Sequence, residues 1–236
     1  MNGDAYYFTI GVPDASRGEA FYSRLFGWEL DHGHILNLAL CGGIAPTEFG
    51  PGPKLYLGQD DVAAGVARVR ELGGNATDPQ VVRSGEYADC TDDQGTRFSI
   101  GWTHQAMEDE QRAGLKDHPE PIGVLGYLTV GVPDVDRAAT FFAGLFGWEA
   151  QPPAPNRPWT YRHVTITELP LGFTDHTVDP QLMLYFRVDD GPAVAAQVEG
   201  LGGTLGEPAE SENGYSVACH DDQGTPFSIW QPAPGL

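Results

Sequence analysis

The sequence predicts an α+β fold made of two tandem modules, and two observations support this prediction. Residues 92–100 read DDQGTRFSI and residues 221–229 read DDQGTPFSI, so one phrase occurs twice with a single difference. Residues 7–30 also align without gaps to residues 127–150, with 13 identities in 24 positions. Two copies of so long a repeat indicate a duplicated domain rather than a solenoid.

The repeat also sets the predicted domain boundaries. The N-terminal block recurs at an offset of 120 residues, whereas the LYLGQDD and DDQG phrases recur at an offset of 129. The second copy therefore carries nine extra residues after Trp148, where the Pro-rich stretch QPPAPNRPWT is typical of a loop. We predict an N-terminal module over residues 1–102, a polar linker over 103–122 and a C-terminal module over 123–236.

Each copy has the same predicted order of elements. The run YFTIGV alternates along its length, is rich in β-formers and predicts a strand. A helix follows, with Asp14 or Asp134 as its N-cap and Gly27 or Gly147 after its last turn. Then come short strands such as HILNLAL or YRHVTIT, the strand LYLGQ or LYFRV, and a second helix opened by a D-D pair. A final pair of strands turns through DDQG, which gives βαβββ-αββ in outline.

Composition excludes several classes of function. The chain has a net charge of −20, from 13 Lys+Arg against 33 Asp+Glu, which opposes binding to nucleic acid or to an anionic membrane. The start MNGDAYYFTI lacks the regions of a signal peptide, and no apolar run reaches the roughly 18 residues of a spanning helix. Cys41, Cys90 and Cys219 form no CxxC pair and predict neither a disulfide framework nor a zinc ribbon. We therefore expect a cytoplasmic protein.

The order of motifs resembles that of the vicinal oxygen chelate superfamily. Both copies have a strand ending in V-P-D, a helix ending in L-F-G-W-E, a D-D helix start and a closing D-x-x-G-x-x-F-S-I strand. This superfamily contains glyoxalases, extradiol dioxygenases, fosfomycin-modifying enzymes and bleomycin-resistance proteins. The chain looks most like the tandem glyoxalase-like proteins of actinobacteria. The resemblance implies two βαβββ-type modules whose mixed, curved sheets enclose a cleft.

The resemblance also implies where metal ligands would stand. The three ligand positions of metal-using members fall on Tyr7, Lys54 and Ser99 in the first module and on Tyr127, Met183 and Ser228 in the second. Divalent Mg, Mn, Fe and Zn are bound by carboxylate, imidazole or similar donors. An ammonium repels such a cation, a thioether is soft, and neutral hydroxyls rarely hold one unaided. We therefore predict no metal and no other cofactor.

Strand alternation extends these positions to a predicted cleft lining. The predicted ligand-binding residues are Tyr7, Thr9, Tyr56, Arg97, Ser99, Tyr127, Thr129, His163, Met183, Tyr185, Ser228 and Trp230, with Lys54 beside them. Aromatic walls with scattered hydroxyls favour a small apolar or aromatic molecule as the partner. The alternative is that Tyr7 and Tyr127 fill the cleft as part of the core.

Three functions stay open on this sequence. The first is a metal-free binding protein that sequesters a small molecule, as resistance proteins of the superfamily do. The second is a metal-independent enzyme of isomerase or lyase type that uses Tyr7, Lys54, Tyr127 or His163 for acid–base catalysis, provided that burial lowers the pKa of Lys54. The third is a non-catalytic interaction protein. Because a tandem chain can pair its own modules, we expect a monomer with internal pseudo-two-fold symmetry, with a dimer as the alternative.

Overall fold

The structure is a computed structural model that describes residues 2–47, 52–104, 115, 121–155, 158–165, 167–176 and 181–235. The helices are α1 (Ala15–Phe26), α2 (Val62–Glu71), α3 (Val135–Phe146) and α4 (Gly191–Gly200). The strands of the first half are β1 (Ala5–Val12), β2 (Leu30–Asp31), β3 (His34–Ile35), β4 (Cys41–Pro46), β5 (Gly52–Gly58), β6 (Asn75–Ala76), β7 (Gln80–Val82), β8 (Gly85–Thr91) and β9 (Arg97–Thr103). Those of the second half are β10 (Val124–Gly131), β11 (Tyr161–Val164), β12 (Leu171–Thr174), β13 (Gln181–Arg187), β14 (Thr204–Leu205), β15 (Ala209–Ser211), β16 (Gly214–His220) and β17 (Pro226–Pro232).

The helix ends follow the sequence prediction. The N-caps are Asp14, Asp61, Asp134 and Asp190, and each carboxylate accepts a hydrogen bond from the backbone N–H three residues later. Gly27 and Gly147 end α1 and α3 in the left-handed conformation, with φ of 73° and 75°. Over the described ranges, none of the helices combines the length and the apolar character needed to cross a membrane.

One predicted strand is shorter than expected. The run HILNLAL begins as β3 at His34–Ile35, but the chain then leaves the sheet until β4 begins at Cys41. The reason is Asn37, whose side chain accepts a hydrogen bond from the Glu29 N–H at 3.1 Å and donates one to the Gly27 carbonyl at 3.0 Å. These two bonds tie the segment to the end of α1 instead of to a neighbouring strand.

The chain forms two compact units, and each contains a part of both sequence modules. Unit 1 comprises Met1–Tyr7, Lys54–Glu108 and Leu128–Leu182. Unit 2 comprises Phe8–Pro53, Asp109–Tyr127 and Met183–Leu236. The module boundaries given above describe the sequence repeat and stay a prediction.

Unit 1 contains two groups of strands, with α2 and α3. One group runs β5-β9-β8-β6, with β7 also paired to β8, and the other runs β11-β12-β10. Pairing is parallel for β5–β9 and β10–β12 but antiparallel for β8–β9 and β11–β12, so the sheets are mixed. In the core, Phe142 of α3 packs on Phe98, Trp148 and Phe173 with ring centroids 5.0–5.5 Å apart.

Unit 2 is built in the same way around α1 and α4. Its strands run β2-β3-β4-β1 and β13-β17-β16-β14, with β15 also paired to β16. Trp28 packs against Tyr22 and Phe186 with centroids 5.3 and 5.2 Å away, and its indole N–H donates to the Gly123 carbonyl at 2.8 Å. Mixed sheets and helices in both units confirm the predicted α+β fold class.

The repeated DDQG phrase forms a turn and also contacts the start of a helix in the same unit. In unit 1, Asp92 accepts the N–H groups of Gln94 and Thr96, while Gln94 bonds to both backbone groups of Asp134 at 2.8 and 2.9 Å. Unit 2 repeats these contacts with Asp221, Gln223, Thr225 and Asp14. The ion pairs Asp93–Arg137 and Asp222–Arg17 lie beside them. Because each turn comes from one module and each helix from the other, both copies keep the phrase.

Candidate functional site

Lys54, Asp89 and Ser99 of unit 1 form a hydrogen-bonded group, here called the Lys54 network. The Lys54 side chain is only 7% exposed, and its Nζ donates to Asp89 Oδ1 at 2.8 Å. Ser99 Oγ donates to the same oxygen at 2.6 Å. Strand register explains the grouping, because Ser99 on β9 lies opposite Asp89 on β8 and opposite Tyr56 on β5.

Four tyrosines adjoin the network and are called the tyrosine cluster: Tyr6, Tyr7, Tyr56 and Tyr87. Tyr56 is central, with the Tyr7 ring 5.5 Å away and the Tyr6 and Tyr87 rings each 6.2 Å away, all in edge-on geometry. Lys54 Nζ lies 4.8 Å from the centroid of the Tyr56 ring. Edge-on rings and a cation near an aromatic ring are both favourable arrangements.

The environment favours the protonated forms of Lys54, Tyr6 and Tyr87. Burial lowers the pKa of Lys54, but hydrogen bonding to Asp89 and the neighbouring Tyr56 and Asp89 more than offset this, so the pKa is raised. Burial raises the pKa of Tyr6 and of Tyr87, and the charge of Asp89 adds to both shifts. Acid–base catalysis by Lys54 would need a lowered pKa, whereas the structure raises it.

An open pocket of about 370 Å³ adjoins the Lys54 network and is called the side pocket. Lys54, Asp89 and Arg97 line it together with Asn75 of strand β6, which pairs with β8. Cys90 also lines it, and burial raises the pKa of its thiol to about 12, so it stays neutral. The volume falls within the ~300–1,000 Å³ range of small-molecule sites.

The second copy forms a different group in unit 2, called the second aromatic cluster: Tyr127, Tyr185 and Trp230. Tyr127 lies 5.8 Å from Tyr185 and 6.5 Å from Trp230, measured between ring centroids. Ser228 is buried and lies opposite Tyr185 on one side and Ala218 on the other. Met183 is on β13, two residues before Tyr185.

The remaining predicted site residues are divided between the units. Thr9 is on β1 in unit 2, whereas Thr129 and His163 are in unit 1. Thr129 on β10 and His163 on β11 lie opposite the same residue, Gly172 of β12. The structure therefore groups Tyr7, Lys54, Tyr56 and Ser99, with Arg97 at the side pocket, and places the other predicted residues elsewhere.

Sequence reasoning missed Asp89, Tyr6 and Tyr87. Asp89 and Tyr87 lie in the stretch EYADC, which the sequence predicts as a strand adjacent to the one carrying Ser99. Extending the same alternation rule to this neighbouring strand would have placed both side chains beside Ser99. Tyr6 is adjacent to the predicted Tyr7, and strand alternation gives no reason to select both.

The superfamily implies a metal, and the residues at the ligand positions do not fit one. Lys54 stays protonated, and its ammonium already bonds to the Asp89 carboxylate. A positive charge therefore lies at a position where a metal ion would need an electron-pair donor. Within the described parts of the chain, no three or more His, Cys, Asp or Glu side chains are grouped as a metal site.

Comparison with known proteins concerns the second copy of the repeat first. Residues 127–230 match the family model of the glyoxalase-like domain. This segment is a glyoxalase-like domain. The finding confirms the resemblance to the vicinal oxygen chelate superfamily predicted from the sequence.

Relatives match the chain over nearly its whole length. "Putative glyoxylase CFP32" of Mycobacterium tuberculosis (strain CDC 1551 / Oshkosh) is 25% identical over 98% of this chain and 96% of that protein. "Anthracycline biosynthesis protein DnrV" of Streptomyces peucetius is 24% identical over 96% of this chain and 92% of that protein. The crystal structure of BphC, a halotolerant catechol dioxygenase, covers 100% of this chain and 90% of its own, with a TM-score of 0.65 and 12% identity. That structural likeness shows the two-module fold alone.

Proposed function

We propose that this chain binds a small aromatic molecule at the tyrosine cluster and the Lys54 network, without the metal that other members of the superfamily use. The observation that carries the proposal is the position of Lys54, a buried ammonium that adjoins both the tyrosine rings and the side pocket. Tyrosine rings give an aromatic ligand favourable edge and face contacts, and a buried charge gives it one polar anchor.

The named relatives support an aromatic ligand. DnrV is named for anthracycline biosynthesis, and anthracyclines are polycyclic aromatic compounds. A protein that holds such a compound without converting it sequesters it, which is the resistance role expected from the sequence. The first test therefore uses a hydroxyanthraquinone as the probe.

The binding test compares Tyr56→Leu with Tyr185→Leu. Tyr56 contacts three rings and Lys54 in unit 1, whereas Tyr185 is its counterpart in the second aromatic cluster. If the probe binds at the tyrosine cluster, Tyr56→Leu weakens binding about threefold to tenfold, the loss expected for one aromatic contact. Tyr185→Leu leaves the affinity unchanged. Quenching of intrinsic fluorescence gives the dissociation constants, and a ligand-dependent rise in melting temperature checks them.

Two outcomes would contradict this assignment. If Tyr185→Leu weakens binding and Tyr56→Leu does not, the ligand site is in unit 2. If the wild-type chain shows neither quenching nor a melting shift with the hydroxyanthraquinone and related ring compounds, aromatic binding is wrong.

Acid–base catalysis is the second candidate function, and Asp89 is the group that favours it. Its side chain is 42% exposed, lines the side pocket and accepts hydrogen bonds from Lys54 and Ser99. A carboxylate held in this way can accept a proton from a bound molecule, whereas the protonated Lys54, Tyr6 and Tyr87 cannot. Chromatography of the probe after long incubation separates the two functions, since binding alone returns it unchanged.

A further inference from the structure

We infer that the side pocket selects ligands with an anionic oxygen, so that the molecule bound is an aromatic anion rather than a neutral ring compound. This inference rests on the proposed function, because the side pocket shares Lys54 and Asp89 with the site proposed above. It is carried by the charges that line the pocket and by their unequal exposure to water.

The first observation is the balance of charge in the side pocket. Among the described residues that line it, Lys54 and Arg97 are the cations and Asp89 is the one carboxylate, so this lining carries a net positive charge. The chain as a whole has 13 Lys+Arg against 33 Asp+Glu, so its average charge is negative. The charge of the side pocket has the opposite sign. General composition therefore does not explain the pocket.

The second observation is that water screens the two charges of the ion pair differently. The Lys54 side chain is 7% exposed, whereas that of Asp89 is 42% exposed. Solvent reduces the field of an exposed charge much more than that of a buried one. The field of Lys54 in the pocket is therefore only partly cancelled by Asp89.

The third observation concerns hydrogen-bond capacity. Lys54 and Arg97 carry only N–H donors, and neither group can accept a hydrogen bond. The Lys54 ammonium has three such donors, and one of them bonds to Asp89 Oδ1. Asp89 Oδ1 already accepts from Lys54 and from Ser99. A carboxylate or an ionised ring hydroxyl is the ligand group that matches donors of this kind.

The test compares two probes of nearly the same shape: naphthoate, which is an anion at neutral pH, and naphthamide, which is neutral. For the wild-type chain we expect naphthoate to bind at least about tenfold more tightly, the usual advantage of a charge-assisted hydrogen bond. The double variant Lys54→Met/Asp89→Ala reproduces the residue pair Met183 and Ala218 of the second copy and leaves no unpaired charge. In this variant the naphthoate preference should fall, because the buried charge of Lys54 is gone, while Arg97 still lines the pocket.

The control is Arg24→Met, which removes one positive charge from the exposed last turn of α1. It should leave the naphthoate preference unchanged, because Arg24 does not line the side pocket. A naphthol probe then distinguishes the two kinds of anionic oxygen. Bound naphthol that absorbs as naphtholate at neutral pH identifies an ionised ring hydroxyl, whereas naphthol that binds no more tightly than naphthamide, beside tightly bound naphthoate, identifies a carboxylate.

The wild-type chain alone can overturn the inference. If naphthoate and naphthamide bind it equally tightly, the site accepts aromatic rings without selecting charge, and the proposed function stands while this inference falls. If the double variant keeps the naphthoate preference, the Lys54 network does not provide the selection. If neither probe binds, both proposals fall.

Discussion

In unit 1, Ser99 donates a hydrogen bond to Asp89 beside the buried ammonium of Lys54. At the same register positions of the second copy, Ser228 lies opposite Ala218, and Met183 replaces the lysine. The tyrosine across from each serine is kept, as Tyr56 and Tyr185. The ring next to it is kept as well, as Tyr7 and Tyr127. The duplication has thus preserved the backbone and these two rings, while the charged pair is present in one copy and absent from the other.

The copies also differ in which strand supplies a further ring. In unit 1, Tyr6 comes from β1, and a Cβ built on Gly101 would lie 2.8 Å from its hydroxyl oxygen. In unit 2, β17 supplies Trp230 at the position of Gly101, and its ring lies 3.4 Å from a Cβ built on Gly126, the counterpart of Tyr6. Each copy therefore has a glycine at the position where the other has an aromatic ring. The ring comes from the first strand of the copy in unit 1 (Tyr6 of β1) and from the last strand in unit 2 (Trp230 of β17).

The largest expected difference between the copies comes from adding a methyl group at these two glycines. A Cβ at Gly101 would lie 2.4 Å from the Glu86 carbonyl oxygen, so Gly101→Ala should lower the free energy of unfolding by about 1–3 kcal/mol. At Gly126 the nearest atom would be 3.3 Å away, so Gly126→Ala should change it by less than about 0.5 kcal/mol. Urea denaturation of both variants measures the difference. Equal losses would mean that the two sites are packed alike.

The sequence predicted the fold well because its signals are local or repeated. Asp14 and Gly27 mark helix ends through contacts within a few residues, and the duplication is visible in the letters themselves. The proposed site follows from the sequence only in part. The sequence pointed to Lys54 and Ser99 but not to Asp89, which bonds to both of them. The second copy has Ala218 at the position of Asp89, so the repeat gives no signal for this residue. The pKa of Lys54 depends on that partner on another strand, so burial alone gave the wrong direction.

The two DDQG turns should differ by a smaller amount. Tyr22 donates to Asp221 Oδ2 at 3.4 Å, whereas Phe142 stands in its place in the first turn. There, Asp92 Oδ2 is buried with no hydrogen-bond partner among the described residues, and burial raises the pKa of this carboxyl. We expect Phe142→Tyr to raise the free energy of unfolding, and Tyr22→Phe to lower it, each by about 0.5–1 kcal/mol. Changes of the same sign would contradict the equivalence of the turns.

Alkaline pH tests the Tyr22 half of this prediction. Burial, followed by the charge of Asp221, raises the pKa of Tyr22 well above its usual value of 10.0. The folded state therefore keeps this proton where the unfolded chain loses it, so stability is unaffected below about pH 10 and falls as the pH rises further. In Tyr22→Phe the loss of melting temperature between pH 9 and about pH 11 should be smaller than in the wild type.

We expect the smallest difference in stability between the copies at the glutamine of each DDQG turn, because the two glutamines make the same contacts. Gln94 bonds to both backbone groups of Asp134 at 2.8 and 2.9 Å, and Gln223 bonds to those of Asp14 at 2.7 and 3.0 Å. Each replacement by alanine removes two hydrogen bonds at a solvent-exposed helix start and should cost about 0.5–1 kcal/mol. Because the geometry is the same, the two costs measured by urea denaturation should agree within about 0.5 kcal/mol. A larger gap would show that one turn supports its helix more than the other, so that the copies differ in their structural contacts as well as in their site residues.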